Sequence, residues 1–260
     1  MKREKLSASK RFEIHHLESV QKSGLVSFLS MEVEPNYSII QQRSLNPAFH
    51  KSLLPHLIHC VGPLLEKYNK LNSYYFENCI YYYESNNIGI AIDNGKGLRV
   101  ASLSMMPDDT IIDIQKKIMK VSLDYDNESL SKEQLTSTSF TITDLSTFEL
   151  SAVFPLINKN QSCILGLTRI NDSYSLNLSF DHRILEGYYA ASFMKDLKAE
   201  LFDARVIINT QERESKSETK ICYKCFKSIK EDQHMLGPGL LKVSTVNGPQ
   251  HICRNCFMGY

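Results

Sequence analysis

Apolar and polar residues alternate strictly through Tyr174-Ser-Leu-Asn-Leu-Ser-Phe180, which predicts a strand with Tyr174, Leu176, Leu178 and Phe180 on one face. A different period follows. Ala190, Phe193, Met194, Leu197 and Leu201 recur at threes and fours, so a helix is predicted over 186–202. Pro47 to Leu71 shows the same helical spacing at Leu53, Leu57, Cys60, Val61, Leu64, Leu65 and Tyr68. Asp108 to Val121 repeats it with Ile111, Ile114, Ile118 and Val121, and Asp108 or Asp109 is the expected cap. Strands are predicted at 27–33, closed by Pro35, at 74–83, at 140–145 and at 162–167. Residues 87–92 and 98–103 flank Asn94-Gly95-Lys96-Gly97 and read as a hairpin. That Gly-x-Gly lacks the strand-to-helix setting of a phosphate loop. A polar loop is expected over 124–134. Strands outside simple β-α-β alternation give an α+β class: a mixed sheet with flanking helices.

The pattern stops at Asn209 to Lys220, which holds no aliphatic or aromatic residue and cannot bury a core. The expected organisation is therefore a main domain over 1–208, a polar linker over 209–220 and a small module over 221–260. The 260 residues carry a net charge of +1 and are 42% hydrophobic, so charge gives no case for bulk nucleic-acid or membrane binding. The basic, polar start lacks the apolar core of a signal peptide, and no apolar run approaches ~20 residues, so a cytoplasmic protein is expected. Glu77 and Glu84 beside the tyrosine run favour a sheet face over a base-stacking platform. His56 and His59 read as packing or surface residues of their helix.

Candidate chemistry begins where the alternating strand ends, at Ser179-Phe-Asp-His-Arg-Ile-Leu-Glu-Gly187. The free imidazole side chain has a pKa near ~6.5, so histidine as a residue type can take a proton from a thiol at neutral pH. The thiolate so formed attacks a thioester carbonyl, and the resulting oxyanion needs a positioned donor. Glu186, four residues on, is placed to brace the loop or hold the imidazole's tautomer, and Gly187 to let the next helix pack closely.

Residues 174–202 resemble the end of the catalytic domain of 2-oxoacid dehydrogenase acyltransferases, where a Leu-Ser-x-Asp-His-Arg strand end leads into an Ala-rich helix. Asn87-Ile-Gly-Ile-Ala-Ile-Asp93 with Gly97-Leu98, Ser139-Phe-Thr-Ile-Thr-Asp-Leu145, Ile157-Asn158 and Cys163-Ile-Leu-Gly166 are similar to further family segments in the same order. The resemblance covers roughly residues 9–203. It implies a chloramphenicol-acetyltransferase-like fold and a homotrimer whose active sites lie at subunit interfaces, with coenzyme A entering from one side and the acyl-bearing thiol from the other. It implies catalytic roles for His182 as base and Thr143 at the oxyanion, with Glu186 in place of the motif's aspartate. Thr143 stands where the family has serine, and Ser137-Thr138 where it has Gly-Gly. The expected function is acyl transfer from coenzyme A, a lipoyl protein or a phosphopantetheine carrier. The alternatives are a catalytically impaired trimeric scaffold and an O-acetyltransferase of small molecules. No stretch resembles a lipoyl domain, so the acyl group is expected to arrive in trans.

Cysteine placement adds a separate element. Cys60, Cys79 and Cys163 are scattered in apolar surroundings and read as buried thiols. Cys222-x-x-Cys225 and Cys253-x-x-Cys256 form two knuckles suited to a tetrahedral structural zinc. Its expected use is protein docking or capping of the trimer.

Overall fold

The computed structural model describes residues 25–34 and 52–203, a few positions before them, and the backbone of short strands in the tail. The long alternating strand is β8, and the sheet is built around it. In chain order the elements are β1 (Val26–Val33), α1 (Leu54–Lys67), β2 (Ser73–Phe76), β3 (Cys79–Tyr82), β4 (Ile88–Ile92), β5 (Arg99–Ser102), α2 (Ile111–Asp126), α3 (Lys132–Thr136), β6 (Phe140–Asp144), β7 (Cys163–Ile170), β8 (Ser173–Asp181) and α4 (Gly187–Asp203). Six strands form one sheet in the order β1-β8-β7-β6-β4-β5. The pairs β4–β6 and β6–β7 are parallel and the others antiparallel, which gives the mixed α+β architecture expected.

One sheet face carries Ile90, Ile142, Leu165, Leu178 and Phe180 and is covered by helices. Phe193 of α4 lies edge-on to Phe140, with ring centroids 6.5 Å apart. Helices α1 and α4 are tied where Asp196 accepts hydrogen bonds from Lys67 Nζ and Tyr68 Oη, both at 2.6 Å. The other face is unexpectedly buried as well. Thr141, Thr168, Asn177 and Ser179 on that face are buried, and Thr141 and Thr168 bond to Asn158, Gln161 and Ser151 of the segment that joins β6 to β7. Hydrogen bonds satisfy three of these side chains, whereas the Ser179 hydroxyl has no partner among the described residues. Asn158 Nδ2 donates to Thr141 Oγ1 at 3.0 Å, and Asn177 Nδ2 donates to Thr168 Oγ1 at 3.1 Å. Gly166 lets this segment close on the sheet, since a Cβ there would stand 2.5 Å from Val153 Cγ1.

Several local expectations change. Residues 74–83 form a tight hairpin, not one strand, because Glu77 and Asn78 both take positive φ (47° and 63°) and turn the chain. Helix α1 starts at Leu54, with Pro55 in its first turn. Thr110, not Asp108 or Asp109, caps α2, in a box with Asp113. The expected loop is mostly helical: α2 runs to Asp126, and α3 is capped by Ser131 with Gln134. Of the scattered cysteines, Cys163 is buried, with its thiol pushed up to about 12 by desolvation, whereas Cys79 is exposed on β3. The linker and most of the tail, including Cys222, Cys225 and Cys256, lie outside the described residues.

Candidate active site

The end of β8 is fixed from both sides. Asp181 pairs with Val26, and its N–H donates to Ser162 O at 2.8 Å. The next residue, His182, donates its backbone N–H to Leu25 O at 2.7 Å. The amides of Ile184 and Leu185 both donate to Asp181 O at 3.0 Å, and both side chains are buried. The backbone of the turn is therefore pinned while the His182 side chain stays exposed. Its ring lies 5.7 Å from that of Phe180.

The residues flanking the histidine form a brace. Asp181 is 1% exposed. Its carboxylate accepts from Arg183 Nε at 2.9 and 3.0 Å, from Nη2, and from the Arg183 backbone N–H at 3.0 Å. This pairing raises the Arg183 pKa further above its ordinary value. The guanidinium also stacks over Tyr75 of the β2–β3 hairpin, 4.3 Å from the ring centroid. Sequence reasoning missed this brace. The opposite charges on either side of His182 were the available signal.

Glu186 does not hydrogen-bond the imidazole. Lys70 Nζ reaches its carboxylate at 3.1 and 3.4 Å. Glu186 is also the residue whose carbonyl accepts the Ala190 amide, so its charge sits at the start of α4, where an anion is favoured. Its own backbone N–H, then Lys70 and more weakly His182, hold its pKa below the usual carboxylate value. Gly187 is not needed for close packing within the chain, because a Cβ there would meet no atom within 4 Å.

Thr143 is half-buried near the end of β6, and the structure does not bring it to His182. Thr143 pairs with Gly166, and Gly166 with Asn177. His182 lies five residues beyond Asn177. At ~3.4 Å per residue and ~4.8 Å per strand, the two positions are about 20 Å apart within one chain. Beside Thr143, Asp144 accepts the Ser146 amide at 2.9 Å, and burial raises its pKa. The segment that follows exposes Phe148, Leu150, Phe154 and Leu156, and beyond Gly187 Tyr188 is 88% exposed. Among the described residues no group of His, Cys, Asp and Glu is arranged to hold a metal, and no helix is long and apolar enough to cross a membrane.

The family model for the 2-oxoacid dehydrogenases acyltransferase (catalytic domain) matches residues 1–208. A dihydrolipoyllysine-residue succinyltransferase component of the 2-oxoglutarate dehydrogenase complex from Buchnera aphidicola subsp. Schizaphis graminum is 28% identical, over 71% of this chain and 52% of its own length. A dihydrolipoyllysine-residue acetyltransferase component of the pyruvate dehydrogenase complex from Staphylococcus epidermidis is 26% identical, over 60% of this chain and 40% of its own. The chain thus spans about half or less of the curated relatives it matches. Among solved structures, a probable dihydrolipoamide acetyltransferase from Listeria monocytogenes superimposes with a TM-score of 0.68 at 24% identity, covering 77% of this chain and 94% of that one. The dihydrolipoamide acetyltransferase of Azotobacter vinelandii gives 0.71 at 20% identity, covering 80% and 94%. In that protein a serine, a histidine and an asparagine four residues beyond the histidine have been investigated for roles in the catalytic mechanism.

Proposed function

The chain belongs to the 2-oxoacid dehydrogenase acyltransferase family, and from that premise we propose that it moves an acyl group between coenzyme A and a lipoyl carrier thiol. The observation that carries the reading is the exposed imidazole of His182 on a turn whose backbone and flanking ion pair are fixed. His182 takes the proton of the attacking thiol, and the thiolate adds to the thioester carbonyl. The tetrahedral adduct collapses with release of the second thiolate, which recovers the proton from the imidazolium. Glu186, kept ionised by its own N–H and Lys70, stabilises that imidazolium through space without touching it. It stands four residues after its histidine, as does the asparagine investigated in the Azotobacter protein.

The oxyanion donor is Thr143 of an adjacent copy. A hydroxyl about 20 Å from its own chain's base, by strand spacing, has no use in a monomer. A cyclic homotrimer supplies each His182 with a neighbour's Thr143 and covers the apolar segment from Phe148 to Leu156.

Turnover of acyl-CoA with dihydrolipoamide tests the reading. His182→Ala should lose at least ~10²-fold in kcat with an unchanged circular dichroism spectrum and oligomeric mass. Normal turnover by that variant would overturn the assignment. A wild-type chain that neither binds coenzyme A nor turns over would favour a scaffold, and transfer only to small alcohols would favour O-acetylation.

A further inference from the structure

The backbone places strands from the two cysteine pairs side by side. In the tail, β9 (Lys220–Ile221) pairs with β10 (Ser228–Ile229), with Ile221 opposite Ser228. The residues joining those partners in sequence include Cys222 and Cys225. A second hairpin pairs β11 (Leu240–Thr245) with β12 (Gly248–Cys253), with Cys253 opposite Leu240. Strand β9 packs against β12. One strand therefore ends immediately before the first Cys-x-x-Cys, its neighbour ends on the first cysteine of the second, and the two hairpins meet through them.

We propose that Cys222, Cys225, Cys253 and Cys256 bind one zinc ion as a closed tetrathiolate site that folds this tail. Each Cys-x-x-Cys presents two sulfurs to one metal, and two such pairs complete a tetrahedron with no position left for substrate. The role is structural, separate from acyl transfer. A segment of about 40 residues is too small to stabilise itself by burial alone and ordinarily needs a metal or disulfides. The three cysteines outside the tail do not supply the site. The thiol of Cys163 is pushed up to about 12 by burial, and Cys60 and Cys79 lie on α1 and β3.

Metal analysis of the full chain, expressed with zinc and purified under reducing conditions, should return one zinc per chain. Cys222→Ser and Cys253→Ser should each lower that stoichiometry severalfold, while Cys79→Ser and His182→Ala retain it. His182→Ala thereby separates this site from the acyl-transfer reading, since it abolishes turnover there and leaves zinc here. Because a cysteine variant of so small a unit that fails to fold also loses its metal, cobalt is loaded into the wild-type chain as a second probe. It should give the intense visible bands of tetrahedral thiolate coordination, bleached by one equivalent of zinc. A metal-free wild-type chain, tail disulfides under reducing conditions, or equal zinc in the Cys79 and Cys222 variants would each overturn the proposal.

Discussion

Arg183→Leu removes the partner of the carboxylate that braces the His182 turn. The Asp181 and Arg183 side chains are 2% and 24% exposed. Losing one member of a fully buried pair costs about 3–5 kcal/mol. Arg183 is one-quarter exposed, and its backbone N–H remains as a donor to Asp181, so we expect ~2–3 kcal/mol. For a domain of this size that is a fall in Tm of roughly 5–10 °C. Asp181→Asn should cost less, because a partly exposed guanidinium finds water more readily than a buried carboxylate does. The double variant should cost less than the sum, with a coupling of about 2 kcal/mol. The stack on Tyr75 is lost in both the single Arg183 variant and the double, so it cancels in that cycle. Urea unfolding of all four proteins measures the coupling, and acyl transfer measures its consequence. A displacement of the imidazole by ~1 Å is worth about 10²-fold in rate. Additivity within ~0.5 kcal/mol would refute the brace.

Glu186→Gln should lower Tm at neutral pH and converge with the parent in acid. A carboxylate whose folded pKa is depressed stabilises the fold above its unfolded pKa, and that gain is lost as pH falls through the folded value. A pH series of melting curves checks the sign. Gly166→Ala should destabilise by ~1–3 kcal/mol, because its Cβ meets Val153 Cγ1, and Val153→Ala should restore part of that loss in denaturant titrations. Thr143→Ser should retain activity, whereas Thr143→Ala should lose ~10²-fold in kcat with unchanged oligomeric mass, as for the loss of one oxyanion donor.

The sheet was legible in sequence where one face alone is apolar. Tyr174 to Phe180 alternates because its apolar side chains meet the helices, and the strand formed where predicted. The polar face of that strand gave no sign of its own burial: Asn177 and Ser179 are fully buried, and Asn177 bonds to Ser30 and Thr168 on the neighbouring strands. The β2–β3 hairpin was hidden because its turn uses Glu77 and Asn78 in place of glycine. At the site, His182 was recognisable from its spacing, but the roles of its neighbours were not. Sequence spacing placed Glu186 beside the imidazole, whereas Lys70, 116 positions away, is the group that reaches it. The separation of Thr143 from His182 follows only from strand order and register.

The shared site is tested most directly by mixing two inactive chains. Thr143→Ala and His182→Ala are co-expressed with different tags, and assemblies carrying both tags are purified. In a cyclic trimer that carries both tags, about one-third of the sites then pair an intact His182 with an intact neighbouring Thr143. The account predicts recovery of about that fraction of wild-type turnover from two chains that are nearly inactive alone. Mixed assemblies no more active than either parent would contradict it.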